Sequence, residues 1–239
     1  MKKFLKITLV FTVIIGASYI GSKFFNCSFI RDYRVDTDKR IREIKEKIAD
    51  IEHENIKDTK NLERLSEQYS HLGTIYLKQS LWDMAVDAFQ KSISYGRTTP
   101  GVLYSLGLAY ANRGSGRNSR DDIDKAEFYY KKSIEKQNDL YDARNALAIL
   151  LFYHKDEKER ALSIVEDVVS RNKKFYLARF TLGRFYYEMD KPERSLSVYE
   201  DLLADLDKLP PSEIIDDYKK NCRENIQRIM SELRKQKGG

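Results

Sequence analysis

Apolar residues recur at alternating spacings of three and four through one stretch of the chain. The series comprises Ile41, Ile44, Ile48, Ile51, Asn55, Asp58, Leu62, Leu65, Tyr69 and Leu72, in which only Asn55 and Asp58 are polar. This alternation is the heptad pattern of a helix that pairs with another helix along one narrow stripe. It predicts a long heptad helix over residues 34–65, either continuous or interrupted over Asn55–Asn61. Its partner is a second copy of the chain, in a homodimer through residues 41–72, or the next helix of the same chain.

A run without charges extends from Ile7 to Ser22 and follows Lys2, Lys3 and Lys6. Flanking aromatic residues lengthen it to about 33 Å as a helix, enough for the roughly 30 Å core of a bilayer. We therefore expect a transmembrane helix over residues 4–25, within an N-terminal segment 1–33. Basic residues before a span favour the cytoplasmic side. The chain would then be membrane-anchored and single-pass, with its bulk extracytoplasmic, on the periplasmic or cell-surface side.

Two alternatives remain for this segment. A signal peptide would be cleaved after Ser18, where Gly16 and Ser18 supply the small residues that cleavage needs. A lipoprotein would be acylated at Cys27, although the preceding Phe24 and Phe25 depart from the small residues typical of that site.

Three segments share a Leu-Gly-x-x-Tyr core, followed by a small residue and then, four positions later, by an aromatic residue. The cores begin at Leu72, Leu106 and Leu182, and a weaker copy without the glycine begins at Leu147. This pattern resembles the tetratricopeptide repeat (TPR) family, whose unit of about 34 residues is a helix–turn–helix. The resemblance divides residues 66–209 into four repeats: 66–99, 100–140, 141–175 and 176–209.

The pattern has a physical reason in helix packing. The glycine lies where the two helices of a repeat cross, so a larger side chain would separate them, and the aromatic residue fills space between neighbouring helices. A single hairpin cannot bury its own apolar face, so the repeats must stack. Arg144 and Arg179 depart from the pattern, since the family has a bulky residue at their position.

Beyond the repeats, residues 210–239 carry one apolar stripe that is typical of a capping helix. The stripe contains Ile215, Tyr218, Cys222, Ile226, Ile229 and Leu233. The predicted fold class is therefore all-α: an N-terminal transmembrane helix, a long heptad helix, and then a TPR solenoid with a C-terminal capping helix.

The second repeat is longer than the others because of the stretch Asn112–Asp124. Its glycine and serine residues are typical of a flexible loop, and three arginines accompany three aspartates. We expect a solvated loop between two helices here, and a docking loop is the alternative.

In TPR proteins the ligand lies on the concave face, which the first helices of the repeats form. The resemblance implies a groove that binds a protein or peptide segment, with Asn145 holding the ligand backbone and Arg184 a carboxylate or carbonyl group. The groove residues are Tyr104, Leu108, Asn145, Ile149, Phe152, Phe180, Arg184 and Tyr187. Alternatively, Tyr104, Phe152 and Phe180 pack between repeats or against the C-terminal helix. The two-carboxylate clamp of chaperone-binding members is missing, because Ser70, Thr74 and Asp142 occupy clamp positions.

Charge and chemistry exclude several functions. Of the net charge of +6, four units lie in residues 1–33, so the rest of the chain has no concentrated basic face for nucleic acid. The sequence has no catalytic motif, and His53, His71 and His154 are scattered without the spacing of metal ligands. We therefore expect no cofactor, no metal site and no enzyme activity.

Together these patterns predict a non-enzymatic TPR scaffold or adaptor, anchored in a membrane, that binds protein partners through its concave face. The order of anchor, heptad helix and repeats suggests a role in cell-envelope assembly or secretion. The alternatives are a self-associating structural protein that uses the heptad helix, and an organellar receptor whose repeats face the cytosol.

Overall fold

The computed structural model describes residues 27–54 and 58–237, and the secondary structure of this part is α-helical. Its helices are α1 (Cys27–His53), α2 (Thr59–Lys78), α3 (Trp82–Ser94), α4 (Pro100–Arg117), α5 (Arg120–Lys136), α6 (Tyr141–His154), α7 (Lys158–Arg171), α8 (Tyr176–Glu188), α9 (Pro192–Asp207) and α10 (Glu213–Lys237). They fall into two units, with α1–α5 in residues 1–137 and α6–α10 in residues 138–239.

The structure corrects the predicted fold class and location at one point. Across residues 27–54 and 58–237, none of the helices is long and apolar enough to span a bilayer. The two longest, α1 and α10, carry charged residues along their length, and each charge would be costly in hydrocarbon. The fold class is therefore an all-helical solenoid, and the expectation of a transmembrane helix in a single-pass, membrane-anchored chain is wrong. The span predicted at residues 4–25 lies outside the described residues, as does the cleavage site after Ser18.

The heptad stretch is divided between α1 and α2, which pack against each other. Asp58 caps α2 by accepting a hydrogen bond from the backbone N–H of Lys60, while Asn55 lies outside the described residues. Ile48 and Ile51 of α1 are buried within the chain. The Tyr69 hydroxyl donates to Glu52 at 3.1 Å. The first helix of the repeats is thus a partner of α1 in the same chain, and the homodimer stays a prediction.

Each repeat is a helical hairpin, and in three of the four the crossing point is set by a glycine against an aromatic ring. A Cβ atom added to the glycine would meet ring atoms at 2.9 Å for Gly73 and Phe89, 2.7 Å for Gly107 and Tyr130, and 2.8 Å for Gly183 and Tyr199. Ala148 and Val165 hold the corresponding positions of the third repeat, and both are fully buried. The larger residue in place of glycine is therefore matched by a smaller one in place of the aromatic.

The flexible loop expected over Asn112–Asp124 is not what the structure contains. Helix α4 continues to Arg117 and α5 begins at Arg120, so most of this stretch lengthens the two helices. Asn118 takes the left-handed conformation at the end of α4, and Ser119 caps α5 through the backbone N–H of Asp122. Gly114 allows the tip to close, because its Cβ would lie 2.9 Å from Asp122.

Helix α10 covers the last repeat with the predicted apolar stripe. Cys222 and Ile229 are fully buried with Tyr199 and Leu202 of α9. Tyr218, near the start of α10, contacts Tyr176 at the start of α8, with ring centroids 6.3 Å apart. Near the other end, Tyr187 of α8 bonds to Glu232 of α10. Helices α8 and α10 therefore run in the same direction, as the first helices of successive repeats do.

Candidate peptide-binding surface

The predicted groove residues lie at the same positions of successive repeats. Residues separated by four and then three positions share one face of a helix, so within each helix these residues lie on the same side. We call this set of residues, taken helix by helix, the inner stripe. It consists of Tyr104 and Leu108 on α4, Asn145, Ile149 and Phe152 on α6, and Phe180, Arg184 and Tyr187 on α8.

In the first unit, the stripe is partly open to solvent. Tyr104 and Leu108 are both half-buried. The Tyr104 ring lies 6.0 Å from the buried ring of Tyr130 in a tilted arrangement. The Leu108 carbonyl accepts a hydrogen bond from the Asn112 side chain at 2.7 Å. Leu108 thus presents an aliphatic side chain, while Tyr104 also serves packing within its repeat.

The α6 part of the stripe is buried. Asn145, Ile149 and Phe152 are only 2%, 3% and 4% exposed. Phe152 stacks on Phe185 of α8, with ring centroids 4.0 Å apart and planes 11° from parallel. Phe152 therefore packs between repeats. The side-chain oxygen of Asn145 has no hydrogen-bond partner among the described residues.

The two aromatic residues of α8 hold the capping helix. The Phe180 ring centroid lies 5.4 Å from that of Tyr218 and 5.9 Å from that of Tyr199. The Tyr187 hydroxyl donates to the Glu232 carboxylate at 2.7 Å. The Arg228 guanidinium lies 4.8 Å from the Tyr187 ring centroid. Burial, and then the Glu232 carboxylate, raise the pKa of Tyr187.

Arg184 differs from its neighbours because it has no acidic partner among the described residues. Its guanidinium lies 5.5 Å from the ring centroid of Tyr153 on α6. Its Nε is buried without a hydrogen-bond partner in the described part of the chain, and so is the Tyr153 hydroxyl. Burial raises the pKa of Tyr153 to about 12, against the opposing charge of Arg184. The Tyr153 hydroxyl therefore stays protonated at neutral pH and is able to donate.

Two positive charges act on the same buried group of this unit. Burial raises the pKa of Tyr199, while Arg184 and Arg228 both lower it. Both guanidinium groups are therefore near enough to the Tyr199 hydroxyl to act on it electrostatically. Glu188 and Glu232 act on the neighbouring Tyr153 and Tyr187, so the region carries charges of both signs.

Sequence reasoning placed Tyr218 on the apolar stripe of the capping helix but missed three residues of this region: Tyr153, Arg228 and Glu232. For Tyr153 a signal was available, because it lies four residues after Ile149 and so neighbours the stripe. The other two lie on α10, and only tertiary packing brings them to α8.

The region offers hydrogen bonds and packing rather than reactive groups. Within residues 27–54 and 58–237, no group of His, Cys, Asp and Glu residues could hold a metal ion. The Cys222 thiol is buried, and burial raises its pKa to about 12, so it is not a nucleophile at neutral pH.

Comparison with known proteins supports the fold at low sequence identity. No protein-family model and no curated protein matches the sequence. A thermophilic TPR protein of Thermus thermophilus superposes with a TM-score of 0.57 at 14% identity, over 83% of this chain and 95% of that one. MamA gives 0.55 at 18% identity, over 77% and 97% of the two chains. YrrB, also a TPR protein, gives 0.53 at 18% identity, over 77% and 86%.

These likenesses, all below 25% identity, concern the fold alone. No enzyme family is indicated, and TPR proteins are in general non-enzymatic scaffolds for protein–protein interaction. The repeat cores, the glycine crossings and the solved structures agree, and the chain has the fold of the tetratricopeptide repeat proteins.

Proposed function

We propose that this chain is a non-enzymatic scaffold that binds a protein partner through residues of the inner stripe. In the second unit the proposed contact is Arg184, which is half-buried, whereas Asn145 and Ile149 are buried in the packing. In the first unit, Tyr104 and Leu108 are the proposed contacts. Phe152, Phe180 and Tyr187 form the walls of the site, since they pack between helices.

The main support for the proposal is a set of buried side-chain atoms on α6 and α8 that have no hydrogen-bond partner. Asn145 Oδ1, Tyr153 Oη and Arg184 Nε are buried and lack hydrogen-bond partners in the described part of the chain. Buried polar groups in folded proteins nearly always have partners, and one left without costs about 1–3 kcal/mol. The unpaired Nε–H group of Arg184, on a side chain that is half-open to solvent, is accounted for if a ligand supplies its acceptor.

The structural neighbours give independent support. YrrB is described as having an unusual peptide-binding site, and its fold covers most of this chain. The role in envelope assembly or secretion rested on the membrane anchor, and it stays a prediction.

The test is partner capture with charge-reversed variants of the full-length chain. Arg184→Glu places a negative charge where the site is positive, so the captured partner should be lost. Lys173→Glu is the matched control, since it makes the same charge change outside the site, between α7 and α8. Phe180→Ala is unsuitable, because it removes the packing partner of Tyr218.

Far-UV circular dichroism of both variants checks that they are folded. Loss of a partner with Arg184→Glu, but not with Lys173→Glu, is the expected result. Equal capture by wild type and folded Arg184→Glu would overturn the proposal.

A further inference from the structure

Arg179, on the first helix of the last repeat, is a buried charge at a position where the first repeat has Tyr69. Its side chain is only 9% exposed. Burying a charge is costly, and replacing a buried ion pair by apolar residues of similar volume is often neutral or stabilising. Packing alone therefore does not explain an arginine here, and its guanidinium is expected to have a further role.

Arg144 holds the same position in the third repeat, and its donors are used within the chain. Its Nε donates to the Asn138 carbonyl at 2.6 Å, Nη1 to Asp167 at 3.1 Å, and Nη2 to the Asn138 side chain. Among the described residues, Arg179 has one acceptor, Asp205, which its Nη1 reaches at 2.7 Å. A guanidinium carries five N–H groups, so most donors of Arg179 remain available to a ligand.

Arg179 is one of the residues that line a cavity of about 420 Å³ between α7, α8 and α9. Small-molecule sites typically have volumes of about 300–1,000 Å³. Exposed residues, Lys173, Asp201 and Lys208, also line the cavity, so it opens to solvent. Because Arg179 directly precedes Phe180, it lies about 100° around α8 from that member of the inner stripe. The cavity is therefore a different site from the inner stripe.

The charges around the cavity favour a ligand with one negative charge. Asp205 pairs with Arg179 at 2.7 Å and with Lys208 at 2.9 Å, so two cations share one carboxylate. Lys173 and Asp201 add one charge of each sign. The lining thus has one positive charge in excess, which suits a single carboxylate better than a doubly charged phosphate. Arginine also binds a carboxylate through two parallel hydrogen bonds.

The remaining walls of the cavity are apolar. They consist of Val169 on α7, Leu182 on α8, and Val198 and Ala204 on α9. A hydrocarbon group that lies against them is removed from water, which favours binding. The lining therefore fits an organic acid better than an inorganic ion.

We infer that this cavity is a binding site for a small organic carboxylate. The carboxylate of the ligand accepts hydrogen bonds from Arg179, and its apolar group lies against Leu182 and Val198. This site goes beyond the proposed function and does not depend on it.

The first experiment titrates the full-length chain with 3-methylbutanoate or benzoate and follows each ligand by nuclear magnetic resonance. Three comparisons separate the contributions: 3-methylbutanamide lacks the charge, acetate lacks the branched group, and inorganic phosphate is not organic. Both acids should bind saturably, and 3-methylbutanoate should bind about tenfold or more tightly than its amide, as expected for hydrogen bonds to a charged group. Acetate and phosphate should bind more weakly than 3-methylbutanoate. Equal binding of acid and amide, or of acid and phosphate, would overturn the inference, as would no saturable binding of either acid.

The second experiment assigns the binding to the cavity. Arg179→Met keeps a long side chain and removes the donors, so it should weaken 3-methylbutanoate about tenfold or more. Asp205 retains Lys208 as a partner, so this variant should fold. Arg144→Met is the matched control, because it removes the same charge from the same repeat position outside the cavity, and it should bind as wild type does.

Val198→Phe tests the cavity without changing a charge, since the larger side chain takes up the space of the ligand. It should also weaken 3-methylbutanoate. Far-UV circular dichroism checks that each variant is folded. Wild-type affinity in folded Arg179→Met and Val198→Phe, or an equal loss in Arg144→Met and Arg179→Met, would overturn the site.

Discussion

Gly107 of α4 and Tyr130 of α5 set how closely the two helices of the second repeat approach. A Cβ on Gly107 would lie 2.7 Å from the Tyr130 ring and 3.3 Å from the Ala126 carbonyl oxygen. Contacts this short cannot be accommodated without moving the ring or the helix. The glycine is therefore a packing requirement, even though glycine is a poor helix former.

Gly107→Ala should lower the free energy of unfolding by about 1–3 kcal/mol, the usual cost of overpacking a core. Gly116, on the same helix, has open space around its Cβ position. Gly116→Ala should instead raise the free energy of unfolding by about 0.5–1 kcal/mol, because alanine has the higher helix propensity. Urea unfolding of both variants measures the difference. Stabilisation by both substitutions would contradict the close crossing.

The third repeat offers the reciprocal test. Ala148 and Val165 replace the glycine and the aromatic residue there, and both are fully buried. Val165→Phe alone should destabilise the chain by about 1–3 kcal/mol, since the added volume has no space. Ala148→Gly should make that space, so the double variant should recover part of the loss. Two additive losses in a double-mutant cycle would show that the residues do not share one space.

Much of the fold could be predicted because the repeat signal is local. The Leu-Gly-x-x-Tyr cores marked the hairpins, and the stripe from Ile215 to Leu233 marked the capping helix. The tip of the α4–α5 hairpin was wrongly predicted to be a flexible loop, because the composition of Asn112–Asp124 outweighed its capping signals, Asn118 and Ser119.

What the sequence could not supply was long-range pairing. Arg179, which departs from the family pattern, is nearly buried and pairs with Asp205 at 2.7 Å. Tyr187 and Glu232 are 45 residues apart in sequence. The candidate site has the same limit: the stripe followed from the resemblance to the repeat family, but which of its members are buried in packing depended on neighbouring helices.

The α4–α5 hairpin is closed by a charge pair that predicts a pH dependence. Arg113 donates to both carboxylate oxygens of Asp122, at 2.8 and 2.6 Å, and these hydrogen bonds lower the pKa of Asp122 below its usual 3.8. A lowered pKa in the folded state stabilises the protein above the unfolded pKa, and the effect disappears as pH falls through the folded pKa. Stability from this pair should thus be complete above about pH 4 and fade below it.

Asp122→Asn should therefore destabilise the chain at pH 7, by about 3 kcal/mol for a buried pair that loses one partner. The difference in the free energy of unfolding between wild type and this variant should become smaller below pH 4. Asp121→Asn is the control, because its pair with Lys125 is exposed to solvent and contributes little to stability. Chemical unfolding from pH 2 to 7 measures the free energy of unfolding of both variants and wild type as a function of pH. A difference between Asp122→Asn and wild type that does not change with pH would rule out ionisation of Asp122 as its cause.

The packing of α1 against α2 predicts how stability depends on concentration. Ile51 is 2% exposed within a single chain. Ile51→Ala should lower the free energy of unfolding by about 2–5 kcal/mol, as for other buried isoleucines. If the contact is intrachain, the melting temperatures of wild type and variant should not change over a hundredfold range of protein concentration. A melting temperature that rises with concentration would instead support the homodimer through residues 41–72.

The most direct test of the binding claim is the nuclear magnetic resonance signal of the Arg184 Nε–H group. It is assigned by its loss in Arg184→Lys and followed while the partner segment captured by the full-length chain is added. We expect saturable movement of this signal, with slower hydrogen exchange, because the unpaired donor gains an acceptor. An unchanged Arg184 signal while the segment binds elsewhere would contradict the account.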